Sequence, residues 1–430
     1  MKPNDFIVFV LPRRPWPPYA GQAKHSFNIS KRLKSLGYKT GLVYLDLSFS
    51  RSRLQSVPSL GEAYDRIICI KPSRLRLLLA IITSFFGRVF RSEPLQCGVF
   101  SYFSSDVKSS LARLNEHKPV DLLHFFSIRT IRIARVGEQL QIPYVCDLVD
   151  SVALNLSRRI GVTSYLHARI LLRWEYSAVS ILEKALPLGA YLRAYLVVSS
   201  VDREYLSVTD ISTGGANMRQ HSIKPFIMLS SIGLDLDCIN ASEPYLLPAL
   251  LKADTCAPFN LVFFGSLWYE PNHTALLRLV NNIFPLVLRA IPGANLVIAG
   301  DSPPEDILRL ASAANVLLIS NPDNMYSIIK SCDVAVFPIS TGSGQQNKLL
   351  EAIACHVPVV TSQMAATPLG LLPSEHLLVC ETDDDYSSSI TSLYRDPGLA
   401  SSLDISAYSF ISSTFSWSSV VEKLLAGVYS

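Results

Sequence analysis

The 430-residue sequence predicts an α/β protein of two doubly wound domains, and three observations carry that reading. Short, wholly apolar runs alternate with helix-like stretches in both halves, the pattern of parallel strands buried on both faces. Hydrophobic residues make up 49% and charged residues 17%, enough apolar material for two cores and too little charge for disorder. A glycine also stands where the first strand of each half turns into its first helix, Gly21 in "LPRRPWPPYAGQAKHSF" and Gly265, followed by Ser266, in "FFGSLWYEPNHTAL". A small residue there lets a diphosphate approach the backbone.

In the first half, "FIVFVL" (6–11) leads through a Pro/Gly loop into the helix "SFNISKRLKSLGY", closed by Gly37. The strands "TGLVYL", "VDLLHFF" (120–126), "PYVCDLV" (143–149) and "AYLVVSS" (194–200) follow. The second half repeats the pattern with "FNLVFFGS" (259–266), "ANLVIAG" (294–300), "NVLLIS" (315–320), "CDVAVFPI" (332–339) and "VPVVTS" (357–362). A polar stretch from Val208 to about Ser222, then a second break at "CINASEPYLLPALLKADTCAP", places the domain boundary near residue 245. The domains are therefore expected at 1–245 and 246–405, with a closing helix at 406–430. Their strand carboxyl ends are expected to face one cleft, where such sheets bind ligands.

The most apolar segment, Leu75 to Phe90, falls short of the about 20 apolar residues that span a bilayer. It reads first as a buried helix and, alternatively, as a basic-edged helix lying on a membrane surface. The opening Met1–Asp5 followed at once by "FIVFVL" does not read as a secretory signal. Net charge is uneven: residues 1–245 carry 31 Lys and Arg against 19 Asp and Glu, the remainder 8 against 16. The basic half suits an anionic surface, such as anionic lipid or a phosphorylated acceptor. No RNA-binding or helix-turn-helix signature accompanies it, so nucleic acid is not expected. The eight cysteines are scattered without CxxC spacing, which argues against zinc and for buried thiols in a reducing compartment.

The stretch "STGSGQQNKLLEAIACHVPVVTS" (340–362) carries the chemistry. A glycine-rich loop feeds a helix expected from about Gln345 to Cys355, and the free amides at such an end suit a phosphate. Lys348 lies in the first turn, where the helix dipole disfavours a cation unless an anion answers it. Glu351, on the same face, offers a carboxylate to a ribose diol. Alternatively the two simply pair at i,i+3, a contact of about 0.2–0.5 kcal/mol.

With "CDLVDS", "VVSSVDREYL", "NLVIAGDSPP", "GQQNKLLEAIACHVPVVTS" and "FSWSSVVEKLL", the chain resembles family-4 retaining glycosyltransferases of the two-domain GT-B fold. The branch it is most similar to is associated with bacterial surface polysaccharides. The resemblance covers nearly the whole chain and is more specific in the second half. It implies a nucleoside-diphosphate sugar bound by the second domain, with no other cofactor. It also implies a glycan or lipid-linked acceptor on the first domain, and a C-terminal helix crossing back onto that domain.

Residue by residue, Glu351 matches the second member of the family's glutamate pair, which binds the donor ribose. Ser343 stands in place of the first, leaving sugar contacts to Ser343, Gly344 and Gln345, with Asn347 opening the "NKLLEA" run. A basic pair that serves the diphosphate in many relatives is Ser266 and Asn272 here, so neutralising that charge falls to Lys348 and the helix terminus. The Asn321–Asp323 loop is placed at the nucleobase by the resemblance, or caps the next helix by its composition. In the first domain, His124 is a cleft or a core histidine, the family's register falling on Phe126. Asp147 and Asp150 cap a helix or line the acceptor side, Asp150 being favoured as general base. Glu183 has a structural role.

The reading is a retaining, hexosyltransferase-like enzyme that needs no metal. It is expected in the cytoplasm, with peripheral contact at the inner membrane face as an extension. Two alternatives remain: a nucleotide-sugar epimerase, and a catalytically silent GT-B partner protein, which Ser343 in place of glutamate motivates.

Overall fold

The computed structural model describes residues 2–15, 21–47, 60–163, 165–207, 226–247, 258–310, 313, 315–340 and 345–429. Two units divide the chain, one of Met1–Gly233 with Trp417–Ser430 and one of Leu234–Ser416.

The first unit holds a seven-stranded, wholly parallel sheet in the order β3-β2-β1-β4-β5-β6-β7. Its strands are β1 Phe6–Leu11, β2 Lys39–Leu45, β3 Arg66–Ile70, β4 Leu122–Phe126, β5 Tyr144–Val149, β6 Leu192–Val197 and β7 Ile227–Leu229. Period-two alternation splits the core into two layers. On β1, Phe6, Val8 and Val10 enter one layer, while Ile7, Phe9 and Leu11 enter the other. All six are buried, as expected for a central parallel strand. The first helix runs Gly21–Ser35, and Gly37 follows it at φ +87°, a left-handed conformation that glycine adopts without strain.

The second unit repeats the design with six parallel strands in the order β10-β9-β8-β11-β12-β13. They are β8 Phe259–Phe264, β9 Ala294–Gly300, β10 Val316–Ser320, β11 Val334–Phe337, β12 Val359–Thr361 and β13 Leu378–Val379. Both sheets are doubly wound α/β sheets, the class the apolar runs predict. The strands absent from that prediction, β3, β7 and β13, lie at sheet edges. An edge strand buries less and reads as mixed: β3 exposes Arg66, Ile67 and Cys69. Cys69 and Cys238 are accordingly exposed rather than buried thiols, whereas Cys97, Cys146, Cys332, Cys355 and Cys380 are buried.

Both expected boundaries move. The break near 245 lies instead between Gly233 and Leu234. The helix Leu236–Asn240 already belongs to the second unit, where Ile239 joins the core and Leu234 N–H bonds Phe415 O at 2.7 Å. The closing segment divides at Ser416: the helix Pro397–Phe415 stays with the second unit, while Trp417, Val421, Leu424 and Tyr429 join the first unit's core. Trp417 packs so closely on Gly233 that a Cβ there would lie 2.5 Å from the indole.

The apolar segment Leu75–Phe90 forms the helix Arg74–Arg91, but it is not a buried helix. Its inward face is Leu77, Ala80, Ser84 and Arg88, and its leucines, isoleucines and phenylalanines otherwise point to solvent. No described helix is long and apolar enough to cross a membrane.

Candidate active site

The carboxyl ends of β8, β9 and β11 gather the candidate residues of the second unit. Gly265 ends β8 at φ +138°, a conformation closed to most side chains, and its N–H bonds Ala299 O at 3.1 Å. Gly300 ends β9 against it, where a Cβ would lie 1.9 Å from Gly265 O and 2.8 Å from Leu267. Two backbone turns therefore touch with no room for a methyl group. Gly300→Ala is expected to cost about 1–3 kcal/mol or more through this clash, read as a lowered urea midpoint.

The helix Asn347–Ala354 follows β11, starting later than Gln345 because Gln345 and Gln346 are not helical. Gln346 precedes its first turn and makes no side-chain capping bond, while Asn347 N–H bonds Gln345 O at 3.1 Å and Leu349 N–H bonds Gln346 O at 3.0 Å. Lys348 is half-buried and turns back towards the strand ends, the direction helical Cβ bonds favour. Its Nζ donates to Asn272 Oδ1, and lies 5.7 Å from the ring centroids of both Phe263 and Phe337. Asn272 is buried and donates from Nδ2 to Ser266 O at 3.0 Å. At the position where the sequence resemblance implies a basic side chain, this asparagine instead braces the lysine against the Gly265–Ser266 turn. Burial pulls the Lys348 ammonium down from 10.5 to about 8, with the negative charge of Glu351 opposing the shift.

Asn347, beside it, carries a buried Oδ1 with no hydrogen-bond partner among the described residues. Such an acceptor costs free energy unless a donor arrives, and a ligand hydroxyl is such a donor. Gln345 and Glu351 are half-buried at the same helix end. Ser343 and Gly344 lie outside the described residues. Asn321 follows β10 at φ +50°, its N–H on Gly300 O and its Oδ1 accepting from Ser302 N–H at 3.3 Å. Asp323 is exposed. Neither caps the next helix: Asn324 does, accepting from the N–H groups of Tyr326 and Ser327.

Gly21 opens the first unit's helix Gly21–Ser35. Asp150 follows β5 and lines a cavity of about 520 Å³ with Gln22, Ser127, Arg129, Arg159 and Trp174. Burial, reinforced by the charge of Asp202, lifts the Asp150 carboxyl from 3.8 to about 6, although Asn155 donates to it at 2.6 Å. Two strand ends beside it are strained. Val149 sits at φ +69°, costly for a β-branched residue, and Ser127 at φ +75°, ψ 146°, a region otherwise left to glycine. The β5–β6 register also shifts between Asp147 and Val149. Glu183 anchors the rim, accepting from Ser151 Oγ at 2.6 Å and Val152 N–H at 2.8 Å at the start of the helix Val152–Val162.

His124 is not a cleft residue: it is completely buried in the first unit. It stacks on Phe126 at 4.3 Å, its Nδ1 meets the hydroxyl of Tyr429, and its Nε2 lies 3.5 Å from Asp147 Oδ2. The same carboxylate oxygen is 3.1 Å from His25 Nε2. Burial would raise the Asp147 carboxyl, but the charge and hydrogen bond of His25 and the nearby ring of His124 outweigh it and hold the group at about 2. Asp147 thus sits between two imidazoles in the interior. His25 went unread in the sequence, its one signal being its place one helical turn after Gly21 in "GQAKHSF".

The two doubly wound units match the GT-B fold of solved structures. Residues 258–396, within the second unit, match the family described as glycosyl transferases group 1. The chain is similar to sucrose-phosphate synthase from Thermosynechococcus elongatus, at 16% identity and a TM-score of 0.62 over 98% of both chains. It is also similar to HepE of Anabaena, solved in complex with UDP, at 11% identity and a TM-score of 0.60 over 99% of both. Among curated proteins, an uncharacterized 44.6 kDa protein in the cps region of Klebsiella pneumoniae is 21% identical over 164 residues. That match covers 36% of this chain and 42% of that protein, less than half the relative's length. The structural likenesses show the fold.

Proposed function

We propose that this protein transfers a sugar from a nucleoside-diphosphate donor to an acceptor hydroxyl with retention of configuration, in surface polysaccharide or glycolipid assembly. One observation carries the reading: Lys348, braced by Asn272, presents its ammonium at the Gly265–Ser266 turn beside the start of the helix Asn347–Ala354. A cation held off solvent over two aromatic faces stabilises a departing diphosphate far better than one in water. UDP in HepE, and the cps-region setting of the Klebsiella relative, favour this donor class and pathway.

In the proposed reaction the bond from the anomeric carbon to the diphosphate oxygen breaks, with its electron pair leaving on the diphosphate. The acceptor oxygen bonds to that carbon on the same face, and its proton passes to Asp150. Lys348, with the leading amides of its helix, meets the charge a divalent ion would otherwise meet, so turnover is expected to survive chelation. Glu351 holds the donor ribose, and the Asn321–Asp323 loop borders the nucleobase. Proton NMR of the product's anomeric configuration tests retention.

Calorimetry with a panel of nucleoside diphosphates tests the donor site. At least one is expected to bind at micromolar to millimolar Kd, and a protein that binds none is a silent partner instead. The titration of Lys348 sets a further expectation. The free ammonium loses its proton near pH 8, so affinity for the diphosphate should fall as pH rises through about 8. The bound anion favours the charged amine, so binding near pH 8 should take up protons. Calorimetry in buffers of different ionisation enthalpy detects that uptake, and Lys348→Met should abolish it.

A further inference from the structure

The helix Arg74–Arg91 is inverted. The side chains it turns inward include Ser84 and Arg88, while it exposes Leu75, Leu78, Ile81, Phe85, Phe86 and Phe90 by half or more. The inward contacts are specific, so the orientation is built and not a slip of register. Ser84 Oγ donates to Leu95 O at 2.7 Å, and Arg88 donates to Ser177 Oγ at 2.8 Å while its guanidinium covers the Trp174 ring at 4.4 Å. Trp174 and Ser177 belong to the helix Leu166–Lys184, which exposes its own apolar side chains, Leu166, Ile170, Leu171 and Ile181. Phe85 and Trp174 touch, their ring centroids 6.2 Å apart, so the two faces join. An apolar face this large rarely stands bare on a monomer.

The surrounding charge says what covers it. The helices Arg74–Arg91, Val152–Val162 and Leu166–Lys184 carry eight arginines and Lys184 against only Glu175 and Glu183. Glu183 is buried in its capping role, and Glu175 accepts from Leu95 N–H at 3.3 Å and faces Arg88 at 3.9 Å. Arg76 pairs with Asp106 at 2.7 Å and Arg88 turns inward, so the fringe is net cationic, though not purely so. An amphipathic helix with aromatic residues on one face and arginines at its edge is built for an anionic lipid interface.

We propose that this protein docks on anionic phospholipid bilayers through the joined apolar faces of Arg74–Arg91 and Leu166–Lys184. The Asp150 cavity is continuous with that face, because Leu171, Trp174 and Arg159 line it. An acceptor whose headgroup sits among Arg129, Arg159 and Asp150 keeps its lipid chain in the bilayer. This last step rests on the transferase reading; the docking itself does not.

Co-sedimentation of the full-length protein with vesicles tests it. Binding is expected to mixed phosphatidylcholine–phosphatidylglycerol vesicles, to be much weaker to pure phosphatidylcholine, and to fall as salt screens the fringe. Phe86→Glu with Phe90→Glu should weaken vesicle binding about tenfold or more. Both side chains stack mainly on each other, so the unfolding midpoint and nucleoside-diphosphate affinity should hold. Arg91→Glu with Arg169→Glu should remove the preference for the anionic lipid. A wild type left in the supernatant, a double phenylalanine variant that sediments undiminished, or light scattering showing a dimer that these substitutions dissociate would each overturn the proposal. Vesicle binding without nucleotide binding would leave docking in place and defeat only the transferase reading.

Discussion

Lys348→Ala lowers turnover by about 10²–10³-fold while the unfolding midpoint stays nearly level. The size follows from removing one preorganised donor from the place where charge develops in the transition state. The stability half follows from the direction of titration. Burial holds the ammonium's folded-state pKa near 8, below its ordinary 10.5, so the charged form is disfavoured by folding at neutral pH. Deleting it removes a cost, partly offset because Asn272 Oδ1 loses its donor. Initial rates at saturating donor and a thermal melt check both halves, and unchanged turnover would take Lys348 out of the mechanism. Asn272→Ala should reproduce part of the loss, since the lysine then keeps its charge but not its brace.

Asp150→Asn lowers turnover by about 10²-fold or more and removes the acid limb of the pH–rate profile. With its carboxyl lifted to about 6, Asp150 is protonated below that pH and accepts no proton from an acceptor hydroxyl. Wild-type activity should therefore climb about tenfold per pH unit up to pH 6 and level off above. The stability effect has the opposite sign. A carboxyl whose folded-state pKa is raised contributes stability that is present at low pH and lost as pH rises from about 3.8 through 6. At pH 7 the ionised Asp150 is a burden, so the asparagine variant should melt at the same temperature or higher. Lost activity with retained or improved stability marks a functional group rather than a packing one. The strained Val149 immediately before it points the same way.

The strands that were legible before the structure are the central ones. "FIVFVL" and "ANLVIAG" coincide with β1 and β9 residue for residue, because a parallel strand covered on both faces needs an unbroken apolar run. Edge strands needed less and left a weaker trace. Lys348 and Glu351 were legible as a pair at a helix start because their spacing is local. The partner that gives Lys348 its direction, Asn272, stands 76 residues away, and in the sequence it read only as a missing basic residue. His124 shows the opposite failure: a histidine near a strand end resembles a catalytic one until the burial of its ring against Phe126 and Tyr429 is seen.

By itself the sequence determined the class of fold, two doubly wound α/β units, and the helix that carries Lys348 and Glu351. Periodicity and local spacing encode those directly, since each depends on side chains a few positions apart. Only the tertiary structure decided what long-range contact decides. Gly300 closes on Gly265, Asn272 aims Lys348, and the arginine and serine of Arg74–Arg91 turn inward while its phenylalanines face out. An apolar helix reads the same whether its partner is the protein's core or a surface outside it. The choice rests on which face finds Leu95, Trp174 and Ser177, and no local pattern records that.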